Sequence, residues 1–149
     1  MLFQGVRPHA GRIRTPEYGD RIVTFGDQRS VPSEEVAAAL QKHFRDGKLL
    51  FDQLDDLVKG YRLPDVVPEI IKGALWLHAD FIRIHPFMDG NGRAGRLIAT
   101  YYLRNYGLPP FVVEAPKAEY IDCLNYFYKT HDINSLLQFT IRLFGNQTA

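Results

Sequence analysis

From about Val67 to Ile84 apolar side chains recur almost all the way round a helical period, at Ile70, Ile71, Ala74, Leu75, Leu77, Phe81 and Ile82. A helix without a solvated stripe has to run through the middle of a domain. His78 and Trp76 fall inside it and read as packing residues. The pattern breaks at Pro86 and resumes over about 92–106 with Leu97, Ile98, Tyr101, Tyr102 and Tyr106, stopping at Gly107 before Pro109-Pro110. A chain with two such segments folds around them. Whatever joins them is anchored in core at both ends and can be rigid.

The joining stretch is Ile84-His85-Pro86-Phe87-Met88-Asp89-Gly90-Asn91-Gly92-Arg93-Ala94-Gly95-Arg96. Gly90 and Gly92 allow a tight turn and close approach to a ligand. A helix starting near Gly92 would present free N–H groups and its positive dipole end to an anion. Arg93 and Arg96, three apart, project from one face of that first turn and suit phosphate oxygens. Asp89 is a carboxylate of the kind that holds Mg²⁺ together with substrate phosphates. His85 is the proton acceptor at hand. Taken singly, each feature has an ordinary explanation: a Gly-Asn-Gly turn is common loop chemistry, and a first-turn arginine is often merely solvated. Their concentration in one short stretch favours a site.

This stretch resembles the signature of the Fic-domain family, His-Pro-Phe-x-Asp/Glu-Gly-Asn-Gly-Arg-x-x-Arg, and matches it at every specified position. The resemblance extends over roughly residues 5–144 and is densest at 70–110. It implies a mainly helical single domain with an N-terminal β-hairpin flap over the active site. It also implies transfer of AMP from ATP, with Mg²⁺, onto a Ser, Thr or Tyr hydroxyl of a target protein. In that reading His85 is the general base, Asp89 holds the metal, and the Gly90–Gly92 backbone cradles the β-phosphate. Arg93 meets the α/β-phosphates and Arg96 the γ-phosphate. Asn91 fits a polar contact beside the phosphates, while Phe87 and Pro86 fix the loop. Related proteins line the adenine site with a tyrosine, and Tyr120 falls near that position, with Tyr128 two turns on; a tyrosine stripe at this spacing is equally a core pattern.

Size and composition set the frame. The chain has 149 residues, 46% hydrophobic and 23% charged, which fits one globular domain. A net charge of +1 gives no reason to expect nucleic acid or an anionic membrane as partner. The single cysteine, Cys123, permits no disulfide within the chain and reads as a small packing residue. No apolar run approaches the ~18 residues of a membrane span, and Met1 to Arg14 lacks the apolar centre of a signal peptide. The expected location is cytoplasmic, although export without a cleavable signal would leave the same sequence. Leu2-Phe3-Gln4-Gly5 resembles a protease-site remnant of an expression tag, so residues 1–4 are set apart and the chain can be a domain cut from a longer protein.

Residues 5–32 carry glycines, prolines and arginines around two short β-prone runs, Arg12–Thr15 and Ile22–Phe25, separated by Tyr18-Gly19-Asp20. A hairpin pairing these runs is expected to lean on the helical body. Gly11-Arg12-Ile13-Arg14-Thr15 resembles the family's approach to its flap, which implies a target-binding strand edge around Arg14, Thr15, Ile22, Val23 and Thr24. A surface hairpin without partners is the plainer alternative. Ser33 is placed to cap a helix with Val36, Leu40 and Phe44 on one stripe, closed by Gly47. A second short helix spans about 49–59 with Leu50, Leu54, Leu57 and Val58. Pro64 and Pro68 then bracket a turn. After an extended Phe111–Val113, helices of about 117–130 and 133–144 end the domain, Asp132 capping the last, and 145–149 form a tail.

Many relatives of this type are restrained by a helix bearing Ser/Thr-x-x-x-Glu-Gly/Asn. No match is present: Ser30 and Glu34 have the spacing, but Glu35 follows and Pro32 breaks the helix. The expectation is inhibition by a partner chain or a further segment, or none. The same loop chemistry would serve UMP or phosphocholine donors. Gly92-Arg93 argues against the kinase-like Doc branch, and the missing inhibitory glutamate argues against removal of AMP. A nucleotide-binding or interaction module without turnover is the reading from another class, though it has no need of His85 and Asp89.

Overall fold

The computed structural model describes residues 11–114 and 117–147. The tag-remnant reading of residues 1–4 lies outside them. Among the described residues five helices carry the domain: α1 (Val36–Gly60), α2 (Leu63–Ile84), α3 (Asn91–Asn105), α4 (Ala118–Thr130) and α5 (Asn134–Gln147). Ahead of them come β1 (Thr24–Phe25), β2 (Gln28–Arg29) and a 3₁₀ turn at Ser33–Glu35. The mainly helical fold with an N-terminal hairpin is as the sequence implies.

α2 is the central element, packed against α1, α3 and α5. Ile70, Ala74, Leu75 and Leu77 are essentially without exposure, and Ile71, Phe81 and Ile82 are buried with them. Trp76 departs from expectation and stands at the surface. The proline pair does not bracket a turn. Pro64 sits in the first turn of α2, where its missing N–H has no intrahelical acceptor anyway. Pro68 is inside the helix and forgoes one bond at its exposed start.

Gly47 does not close a helix either, and α1 runs through it for 25 residues. A Cβ at Gly47 would stand 2.9 Å from Leu77 Cδ2 and 3.5 Å from the Tyr102 hydroxyl. The residue is there for a close helix crossing, not for a stop. Ser33 makes no cap bond; the residue preceding α1 is Glu35, also without one. The expected stripe of α1 is only partly buried, since Phe44 and Leu57 are exposed; on α3, Leu97 and Tyr101 are exposed while Ala99 and Leu103 are buried. Asp132 Oδ1 accepts from the Asn134 amide at 2.9 Å at the start of α5, which continues through residues expected in the tail.

The hairpin differs in register. Runs 12–15 and 22–25 do not pair with each other. Thr24 pairs with Arg29 and Phe25 with Gln28, around a tight Gly26-Asp27 turn. Ile13 instead bridges to Phe87 of the joining loop, and Thr15 bridges to Tyr18. Arg14 supplies the reason.

Candidate active site

Arg14 is fully buried. Its Nε donates to His85 O at 2.7 Å, one Nη to the carbonyls of Asp20 and Arg21, and the other to Val31 O at 2.8 Å and Ile84 O at 3.0 Å. A guanidinium has five N–H donors, and here five carbonyls receive them. Burial presses its pKa down, opposed by Asp20, yet a guanidinium remains charged. Two of the acceptors, Ile84 and His85, lie at the C-terminal end of α2, where carbonyls lack helical partners and the dipole is negative. The Arg14 amide also donates to Pro86 O at 2.7 Å. The expected target-binding role for Arg14 is therefore corrected: no part of its side chain reaches a target, and it nails residues 12–15 to the loop.

Above that anchor, His85 terminates α2 in a left-handed conformation, φ 53° and ψ 58°. Such a conformation is uncommon outside glycine and costs of order 1 kcal/mol or more. It turns the ring out of the helix. His85 Nδ1 lies 3.3 Å from Ile82 O; a carbonyl only accepts, so Nδ1 carries the proton and Nε2 keeps the lone pair. Burial lowers the imidazole pKa below its ordinary value, the Ile82 carbonyl opposes this, and the Arg14 charge lowers it further. The Phe25 ring stacks on the imidazole at 4.7 Å.

The turn that follows is fixed from inside. Asn91 is buried; its Oδ1 accepts from the Phe87 amide at 2.9 Å, and its Nδ2 donates to Phe87 O at 2.8 Å. Both ends of the carboxamide are spent on the loop, which corrects the expectation of a phosphate contact. Gly90 has φ 84°, open to glycine at little cost, and precedes an α3 start that has no side-chain cap. The opening amides of α3 therefore have the arrangement of an anion site. Asp89 Oδ1 accepts from the Gly90 amide at 2.6 Å, and its Oδ2 lies 3.4 Å from an Arg93 Nη. A Cβ at Gly90 would meet Arg93 Nη2 at 3.3 Å, and one at Gly92 would meet Arg96 Nη1 at 3.2 Å. Glycines here leave room for both guanidinium groups. Among the described residues no cluster of three metal-binding side chains exists. One partly exposed carboxylate suits Mg²⁺, which takes most of its remaining ligands from water and substrate phosphates.

Tyr120 is placed behind this site, not in its wall. Its hydroxyl is 2.7 Å from Nε2 of fully buried His78, and its ring is 5% exposed. Burial drives its pKa up to about 12, against the pull of the Arg96 guanidinium on the same hydroxyl. Burial takes His78 down to about 4, so it is neutral. The adenine-lining expectation for Tyr120 is thus replaced by core support behind Arg96. Tyr128 donates its hydroxyl to Ala79 O at 2.8 Å and meets Phe25 edge-on.

The remaining flap residues are distributed unevenly. Thr24 is exposed, Thr15, Ile22 and Val23 are half-buried, and the Val23 backbone is occupied on both sides by Ser30. Glu34 pairs with Arg21 at the surface and lies in the short 3₁₀ turn Ser33–Glu35, not in an α-helix. A cleft of about 500 Å³ between α1 and α3, lined in part by Tyr101, Tyr102, Tyr106, Asp52 and Asp55, includes no residue of the 85–96 loop. Among the described residues, no helix is long and apolar enough to cross a membrane.

The sequence carries no sign that Arg14 is an anchor or that Phe25 meets His85. A basic residue in a β-prone run carries no mark of burial, and Phe25 looked like any strand aromatic.

Fold and site together define a helical domain in which an uncapped helix N-terminus and two arginines follow a left-handed histidine at the end of the central helix. The Fic/DOC family model matches residues 1–103, and the chain belongs to that family. A Fido domain-containing protein of Dictyostelium discoideum is 36% identical over 69% of this chain and 77% of its own length. A protein adenylyltransferase Fic of Nematostella vectensis is 36% identical over 50% of the chain, which spans only 18% of that relative. Among solved structures, Fic-1 (residues 134–508, E274G) from C. elegans superposes with a TM-score of 0.61 at 25% identity, covering 95% of this chain and 36% of that one. A Fic domain-containing signaling protein from Bacteroides thetaiotaomicron shares the fold with a TM-score of 0.60 at 24% identity, over 92% of this chain and 49% of that one.

Proposed function

We propose that the chain is a protein adenylyltransferase. The observation that carries the reading is the His85 tautomer: Ile82 O holds the proton on Nδ1, leaving a neutral Nε2 base beside the amide-lined turn and two arginines. A target hydroxyl attacks the α-phosphorus of ATP, its proton passes to His85 Nε2, and the bond from the α-phosphorus to the bridging oxygen breaks to release pyrophosphate. The opening amides of α3, with Arg93 and Arg96, offset the charge gathering on the leaving group. Asp89 is the residue that would hold Mg²⁺, whose contribution when bound is to neutralise phosphate charge. An extended target segment would pair along the flap edge at Ile22 and Thr24, since the Thr15 amide and carbonyl are both taken by Tyr18. Relatives called protein adenylyltransferase Fic support the reaction class.

Incubation with Mg²⁺ and ATP labelled at the α- or γ-phosphate, with a cell lysate, tests this. α-Label should enter the chain or a lysate protein, and His85→Ala should reduce the rate at least 10²-fold while ATP binding survives. Because the His85 pKa lies below the ordinary 6.5, the base stays neutral as the pH is lowered through that value. The acid limb of kcat/KM should consequently fall below pH 6.5. γ-Label would instead assign kinase-like chemistry, and ATP binding with neither label transferred would leave a binding module.

A second reading, transfer of UMP or phosphocholine from a diphosphate-linked donor, is favoured by one observation. Every assigned contact is to phosphate, and Tyr120, the residue expected to read the base, is in the core.

A further inference from the structure

The hairpin and α4 meet on the face of the general base. Phe25, the last residue of β1, lies over the His85 imidazole with ring centroids 4.7 Å apart and planes 12° from parallel. Tyr128 of α4 also meets Phe25 edge-on at 6.3 Å, and the Tyr128 hydroxyl donates to Ala79 O of α2. Asp27 at the hairpin turn reaches Lys129 of α4 at 3.4 Å. The contacts run in a closed circuit from α2 through His85, Phe25 and Tyr128 back to α2. Phe25 is partly buried and packed against the main core, so its ring is held and not swinging in solvent.

Resting on the reading of His85 as base, we propose that Phe25 is a positioning residue for it. Stacking fixes the plane of the imidazole. It also covers one ring face, and leaves the Nε2 lone pair, which lies in the ring plane, open at the edge for the incoming hydroxyl. The stack then acts differently on the two protonation states. A neutral imidazole gains ordinary aromatic contact. Once the hydroxyl proton arrives on Nε2, the ring is a cation against a π face, which attracts it more strongly, and more so away from water. An interaction that strengthens as the proton transfers lowers the barrier without tightening substrate binding. Phe25 touches neither donor nor target in this account. Its effect passes entirely through His85.

Phe25→Leu keeps an apolar cover and removes the π face, while Phe25→Tyr keeps the face. In the nucleotide-free full chain, the His85 Cε1–H and Cδ2–H proton resonances should be shifted upfield by the Phe25 ring current, in the wild type and in Phe25→Tyr but not in Phe25→Leu. Unshifted His85 protons in the wild type overturn the proposal, whether or not the chain transfers anything. In AMP transfer, Phe25→Leu should lower kcat about tenfold with KM for ATP within twofold, and Phe25→Tyr should recover to within threefold of wild type. A Phe25→Leu variant as fast as wild type, or one impaired only in KM, overturns it. Should Phe25→Leu not fold, the wild-type resonances and Phe25→Tyr still decide. A wild type without AMP transfer but with the ring-current shift would sink the transferase reading alone.

Discussion

The loop at 85–96 and the flap at 12–29 face each other across the site, yet they are held by opposite means. The loop is fixed from within. Its two ends are helix ends buried in core, Asn91 grips Phe87 at both amide and carbonyl, and Gly90 supplies the left-handed turn. The flap has two residues per strand and almost no core of its own. It is fixed from outside, by the Arg14 guanidinium below and by Phe25 against His85 and Tyr128 above. A short hairpin is marginal alone. Here it gains definition only by leaning on the residues it covers, so flap order and His85 order are one property.

Removing the shared anchor should have the largest effect. Arg14→Ala deletes five donors and strands buried carbonyls at the α2 terminus; a loss of about 3–5 kcal/mol is expected, read from denaturant midpoints. A loss below ~1 kcal/mol would mean that flap and loop are independent. Asn91→Ala attacks the loop alone. We expect about 1–3 kcal/mol, with increased amide exchange at Phe87 but little change in the β1–β2 amides, which would separate the two means of support. Asp27→Ala attacks the flap alone. The Asp27–Lys129 pair is exposed on both sides, and such pairs contribute about 0–1 kcal/mol, so stability should barely move and the Phe25 stack should persist. Loss of the His85 ring-current shift in that variant would assign the flap's hold to charge instead of aromatic packing.

Legibility followed the same division. The central helix was readable because burial on nearly all sides leaves a periodic apolar trace, and the turn because glycine and proline are local signals. Gly47 shows where a local signal misleads. Glycine after an apolar run resembles a helix stop, whereas here it admits Leu77 and Tyr102 from two other helices. Pro64 and Pro68 gave a turn signal that a helix start absorbs. The strand partners of 12–15 were wrong because Arg14 chose them, and its five acceptors come from three stretches of chain. By position along the chain Asn91 and Tyr120 suit the ligand, while in the fold their polar atoms bond Phe87 and His78.

The sequence by itself determined a mainly helical Fic-type domain, two apolar helices joined by an anion-suited turn, and the residue types at that turn. Those features depend on periodicity, glycine and motif spacing, all local along the chain. Only the tertiary structure decided the His85 tautomer, the burial of Arg14, the commitment of Asn91 and Tyr120 to the scaffold, and the seat of Phe25 on the imidazole. Each of these depends on which carbonyl or ring lies within about 3–5 Å after distant segments have packed, and sequence separation does not encode that distance.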